Sequence, residues 1–163
     1  RRRTGFGCGR ISAGDRRFYG EEMETIVDRI VAAAGHYEGP GAGSESGPFT
    51  ATIDISPLLE GMGASIDYVA IDPDGEVLHR EHTLLAFDMW SGEATLYVLC
   101  AELSGLGQLV QTTDSTFSNG RGADGFELQV EIVVADDRIE YVWSWGAPGE
   151  ALTEQSRATV ALR

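Results

Sequence analysis

The chain contains no lysine: its twelve basic residues are all arginine, set against 26 acids, for a net charge of −14 at pH 7. A polyanion without clustered cations offers little to a phosphate backbone or an anionic membrane surface, so nucleic-acid binding is not expected. Cysteine is as scarce. Cys8 and Cys100 are the two present, in no Cys-x-x-Cys arrangement, which argues against both a disulfide framework and a metal knuckle. Cys100 lies in an apolar run and reads as a small buried hydrophobe. No stretch approaches the roughly 18 continuous apolar residues of a membrane-spanning helix. No apolar core of about 7–15 residues follows the basic start, as an export signal would require. The expectation is a soluble, cytoplasmic chain without membrane insertion.

Motifs for common chemistries are missing too. Gly5-Phe6-Gly7-Cys8-Gly9 has no strand before it and no helix after it, as a dinucleotide fingerprint needs. Gly39-Pro40-Gly41-Ala42-Gly43 reads as a flexible loop and lacks the Lys-Ser/Thr of a phosphate loop. There is no Gly-x-Ser-x-Gly elbow. Of the three histidines, His79 and His82 are three apart, which on a strand sends them to opposite faces, so no zinc site is expected. Asp72, Asp74 and Glu76 mimic part of a calcium loop, but Pro73 and the short connection fit a turn better.

What is present is one domain's worth of chain. At 163 residues and 42% apolar composition, it can bury roughly two-thirds of its unfolded surface. Residues 1–22 hold six of the twelve Arg but only Asp15, Glu21 and Glu22 as acids, and are rich in Gly. This leader reads as sequence added upstream of the natural start, as a disordered native tail, or as a basic arm. The domain proper is read as 23–163, in which six Arg face 23 acids, a balance of −17.

Within it, Met23, Ile26, Val27, Ile30, Val31 and Ala34 recur at three- and four-residue spacing and predict one helix, with Gly35 as its stop. After Gly35 the period is two. A short strand at His36–Gly39 is followed by Phe49–Ser56, 65–70, 76–87, 94–101, a less regular 107–117, 126–134, 138–145 and 152–162. Nine or ten such strands with short connections form an antiparallel meander, and closing it into a barrel removes two exposed edges. The predicted class is therefore mainly β: a closed antiparallel meander barrel with one N-terminal helix, a two-sheet sandwich being the alternative.

One helix, then Gly35-His36-Tyr37-Glu38-Gly39, then a long meander resembles the calycin superfamily of lipocalins and fatty-acid-binding proteins. Gly35-x-Tyr37 is similar to the Gly-x-Trp of the first lipocalin strand. Ser56-Pro57-Leu58-Leu59-Glu60-Gly61, Asp74-Gly75-Glu76, Glu81-His82, and Phe87-Asp88 with Ser91-Gly92 resemble small bacterial lipocalin-like families of unknown function. The resemblance spans 23–163 and implies a ligand-binding barrel. Nitrobindin-like haem binders share the architecture, and there the resemblance would imply an axial His from the C-terminal part of the barrel. This sequence has no His after His82, and no cofactor is expected.

Register supplies the candidate site. If Asp72–Gly75 closes a four-residue hairpin loop, Tyr68 faces His79, Asp67 pairs with Arg80 outside, and Ile66 faces Glu81. Ile66, Tyr68, Ala70, Val77, His79, Glu81, Thr83, Leu85 and Phe87 then point inward, while a one-residue slip would bring Arg80 and His82 inside instead. A buried carboxylate needs a partner, and His79 is the nearest candidate for Glu81. The pair reads as a ligand anchor, as a general base, or as a satisfied structural pair. Tyr141, Trp143 and Trp145 form an aromatic stripe at strand spacing, either core or the wall of a cavity. The candidate ligand-binding set is Tyr68, His79, Glu81, Thr83, Tyr141, Trp143 and Trp145, with Ser104–Gly107 and Ser118–Gly122 as the rims through which a ligand enters. Carriers of fatty acids usually fix the carboxylate with an inward Arg, and only Arg80, Arg138 and Arg157 fall on strands here. The expected partner is a small hydrophobic or amphipathic molecule. An enzyme of cyclase or isomerase type using Tyr68, His79 and Glu81, and an interaction module with a filled barrel, are the rival readings. The sequence leaves ligand identity and oligomeric state open.

Overall fold

The computed structural model describes residues 24–101, 103, 105–120, 126–147 and 149–163. The leader 1–22, with Cys8, and Met23 lie outside them. Ten strands run up and down in sequence order: β1 (Gly35–Gly43), β2 (Gly47–Leu58), β3 (Gly63–Ile71), β4 (Val77–Phe87), β5 (Ala94–Cys100), β6 (Gly107–Gln111), β7 (Thr116–Ser118), β8 (Glu127–Ala135), β9 (Arg138–Gly146) and β10 (Thr153–Leu162). Each pairs antiparallel with the next, and β10 pairs with β1, so the sheet is a closed barrel and not a sandwich. Alternation does the folding work. In β2, Phe49, Ala51, Ile53 and Ile55 are buried while Thr50, Asp54 and Ser56 are exposed, which is the inward–outward pattern of a barrel wall.

The helix α1 (Ile26–Ala32) is shorter than the apolar spacing suggests. Thr25 caps it: its hydroxyl accepts from the Asp28 N–H at 3.1 Å while the Asp28 carboxylate accepts from the Thr25 N–H at 3.0 Å. It ends at Ala33, so Gly35 opens β1 and does not stop the helix. Ile26, Val27 and Ile30 are buried against the barrel. The Arg29 guanidinium donates to the Asp114 carbonyl, at 2.6 Å, in the β6–β7 connection. The helix therefore lies across the end formed by the even-to-odd connections, packed against β2, β3 and β4.

Three expectations change. Gly39–Gly43 is strand: β1 runs to Gly43 and pairs on both sides, with β2 and with β10. Glycine is required here by proximity, since a Cβ on Gly39 would sit 2.2 Å from the Thr159 carbonyl oxygen, and one on Gly41 would sit 2.1 Å from the Phe49 ring. The β3–β4 register also differs. Ile71 pairs with Val77 across a five-residue loop, and an irregularity then leaves Leu78 unpaired, so that Ala70 faces His79, Tyr68 faces Glu81 and Asp67 faces His82. The Asp67–Arg80 pair is thus replaced by His82 Nδ1 against Asp67 Oδ1 at 2.7 Å. Loop and bulge each add one residue, and two additions restore the parity. Ile66, Tyr68, Glu81, Thr83 and Leu85 are buried as the shorter loop also predicted, while Arg80 and His82 face out. Val77 is the exception: it is exposed, and Leu78 packs against the core in its place.

The turn at Asp72–Gly75 is a hairpin loop of ordinary chemistry. Asp72 Oδ1 accepts the N–H groups of Asp74 and Glu76 at 2.9 and 2.8 Å, and Gly75 takes φ +90°.

Candidate functional site

With one barrel end crossed by the helix, the other carries the β1–β2, β3–β4, β5–β6, β7–β8 and β9–β10 connections. A cavity of about 370 Å³ opens there. Its wall is made of Phe49 from β2, Tyr68 from β3, Leu78 and His79 from β4, Trp143 and Trp145 from β9, with Leu103, Phe126 and Leu128 beside them. Polar groups collect at the mouth: Ser44, Glu45 and Ser46 in the β1–β2 turn, Gln155 and Ser156 on β10. Of the two rims read from the sequence, Ser104, Arg121 and Gly122 lie outside the described residues; Gly105–Gly107 and Ser118–Gly120 do not line the cavity, whereas their neighbours Leu103 and Phe126 do.

The seven candidate residues divide into two layers. Tyr68, His79, Trp143 and Trp145 line the cavity. Glu81, Thr83 and Tyr141 lie behind that wall, in the closed part of the barrel, and are essentially inaccessible. Glu81 is the hub of the inner layer. Its Oε1 accepts from the Tyr141 hydroxyl at 2.6 Å and from the Thr83 hydroxyl at 2.5 Å, and its Oε2 lies 3.3 Å from His79 Nε2. Three groups thus converge on two carboxylate oxygens, which is how a carboxylate withdrawn from water is kept from being a net liability. They reach it for reasons of register. Thr83 is two residues along the same strand, and His79 two residues the other way, so all three share the inner face of β4. Tyr141 comes across the barrel from β9.

Stacking ties the layers together. The Tyr68 and Tyr141 rings are stacked at 5.2 Å, and His79 sits between Tyr68 at 5.6 Å and Trp143 at 6.2 Å. Burial, with the Glu81 charge added, raises both tyrosine hydroxyls above the usual phenol range, Tyr141 most strongly. Both hydroxyls are neutral at any physiological pH, and that of Tyr141 donates to Glu81.

Two features were not read from the sequence. The indole nitrogen of Trp143 is buried and has no hydrogen-bond partner among the described residues, and the cavity reaches the β1–β2 turn through Ser44–Ser46. The first depends on the rotamer of one side chain, and the second on how far β1 extends; neither carries a sequence signal. His79 is the only one of the three histidines on the cavity wall. His36 lies on the outer surface against Asp54 at 2.7 Å, as His82 lies against Asp67. Among the described residues no group of three or more His, Cys, Asp or Glu is placed to hold a metal ion, and no helix is long and apolar enough to cross a membrane.

No protein-family model matches the sequence, and no curated protein matches it significantly. Among solved structures eleven chains match. One is the crystal structure of Rv2717c from M. tuberculosis, with a TM-score of 0.58 at 14% identity, covering 85% of this chain and 98% of that one. At that identity the likeness is one of fold.

Proposed function

We propose that the chain is a calycin-type binding protein that holds one small hydrophobic or amphipathic molecule in the open half of its barrel. The observation that carries this reading is the cavity itself. A volume of about 370 Å³ lies within the range of small-molecule sites, and its wall is mainly apolar and aromatic, with His79 as its one ionisable imidazole and the serines, Glu45 and Gln155 at the mouth. A barrel serving only as a packed module would fill this space with side chains, as the inner half of this one does. The acidic composition, with no arginine on the cavity wall among the described residues, supports an uncharged guest over a nucleotide or a fatty acid. The three strand arginines support the same choice: Arg80 and Arg138 are exposed, and Arg157 is engaged outside by Glu140 and Glu154.

The test is a titration with N-phenyl-1-naphthylamine, a neutral aromatic probe whose emission rises in apolar surroundings. Saturable binding of one probe per chain is expected, and absence of any saturable signal contradicts the reading. His79 on the wall, backed by buried Glu81, also favours a second reading in which a bound substrate loses a proton to the imidazole. His79→Ala separates the two, since it abolishes turnover in an enzyme and only weakens binding in a carrier.

A further inference from the structure

We infer that the indole N–H of Trp143 is the polar anchor of this cavity, and that the guest is an uncharged, planar apolar molecule carrying a hydrogen-bond acceptor oxygen, of the class of aryl ketones. The inference rests on the binding reading above and specifies its ligand. Trp143 is only 6% exposed, its ring lines the cavity, and its nitrogen is the one buried side-chain polar atom without a hydrogen-bond partner among the described residues. Buried donors are almost always paired, and a donor left over beside an empty volume is satisfied when a guest supplies the acceptor. The ring lines the cavity while its nitrogen is covered, so the anchoring contact requires the indole to turn as the guest binds.

The surroundings narrow the class. Glu81 cannot be the anchor, because Tyr141, Thr83 and His79 already occupy its two oxygens. An anion would meet Glu45 at the mouth and Glu81 behind the wall, with no arginine among the described cavity residues to oppose them. A cation would be favoured by the ring faces but would leave the indole N–H unmet. The Tyr68 and Trp143 rings stand 5.6 and 6.2 Å from the His79 ring between them, which suits a flat guest that stacks on one of them and accepts from the indole edge.

Equilibrium dialysis of the intact protein with 2-acetylnaphthalene, 2-ethylnaphthalene and 2-naphthoate tests this, together with Trp143→Phe, which keeps a ring and removes the donor. The substitution should weaken the ketone about fivefold to tenfold, the worth of one neutral hydrogen bond, and leave the hydrocarbon within about twofold. An equal loss for both shows a packing role for Trp143 and overturns the inference, as does tightest binding of the naphthoate. If none of the three binds wild-type protein, the cavity reading itself has failed. A measurement on unaltered protein is independent of how well the variant folds. The Trp143 indole proton resonance should move downfield with the ketone and stay put with the hydrocarbon; no difference between the two overturns the inference.

Discussion

At the scale of single residues, Glu81 is the most constrained group in the molecule. It is the one acid buried among the described residues, and its loss would remove a hydrogen-bond acceptor from Tyr141 and Thr83 and the carboxylate beside His79. Tyr141→Phe removes one donor and keeps the ring stacked on Tyr68; it should lower unfolding stability by about 1–3 kcal/mol, read from chemical denaturation. Glu81→Ala removes the acceptor of both hydroxyls at once and leaves a cavity in the closed half, and should cost more. The same tyrosines set the alkaline limit. Their hydroxyls are raised in the folded state by burial and by the Glu81 charge, so folding holds their protons more tightly than the unfolded chain does. That contribution is complete below the ordinary phenol value of about 10 and is lost as pH rises above it. Absorbance at 295 nm should show Tyr68 and Tyr141 ionising only together with unfolding, whereas a titration of both in the still-folded protein would contradict their burial. By contrast His82, about half exposed against Asp67, is worth at most about 1 kcal/mol, and His82→Ala should barely move the denaturation midpoint.

At the scale of elements, alternation made most strands legible, because each residue of a barrel wall faces either packed interior or water. The pattern in Phe126–Val134 or Ile139–Trp145 could be read directly, and the closed meander followed from strand number and short connections. Legibility failed where backbone contacts decide. Gly39-Pro40-Gly41-Ala42-Gly43 has the composition of a loop, yet it is strand because β2 and β10 pair with it, and closure brings backbone and the Phe49 ring too near for a Cβ. Gly39→Ala should therefore destabilise by about 1–3 kcal/mol. A substitution at Gly105, where nothing lies within 4 Å and the φ is unremarkable, should be nearly neutral in the same assay. The β3–β4 hairpin failed differently. Turn residues marked its place but not the unpaired Leu78, so cross-strand partners shifted by two positions while the inward face survived. The inward assignment of Tyr68, His79, Glu81 and Thr83 was thus recoverable from sequence, but Asp67's partner was not. Nothing in the sequence revealed that Glu81, Thr83 and Tyr141 would lie behind the cavity wall and only Tyr68, His79, Trp143 and Trp145 on it, since depth along the barrel depends on strand stagger.

At the scale of the whole molecule, the barrel divides into a packed half and an open half. The helix covers the packed end, where Ile26, Val27 and Ile30 meet the strands, and the aromatic wall of the open half faces the opposite mouth. The charge divides as cleanly. Residues 23–163 carry −17, and among the described residues all of that acidity except Glu81 lies at least partly in solvent, where it favours solubility and takes no part in the cavity wall beyond Glu45 at its mouth. If the barrel binds as proposed, the guest enters the open half and nowhere else. Ala70 is buried on β3 and lines the cavity, so Ala70→Phe should fill that space while leaving the Glu81 layer intact. The decisive measurement is the N-phenyl-1-naphthylamine titration repeated on Ala70→Phe, with folding checked by circular dichroism. The account predicts one saturable site per chain in the wild type and none in the folded variant; unchanged binding by the folded variant would contradict it.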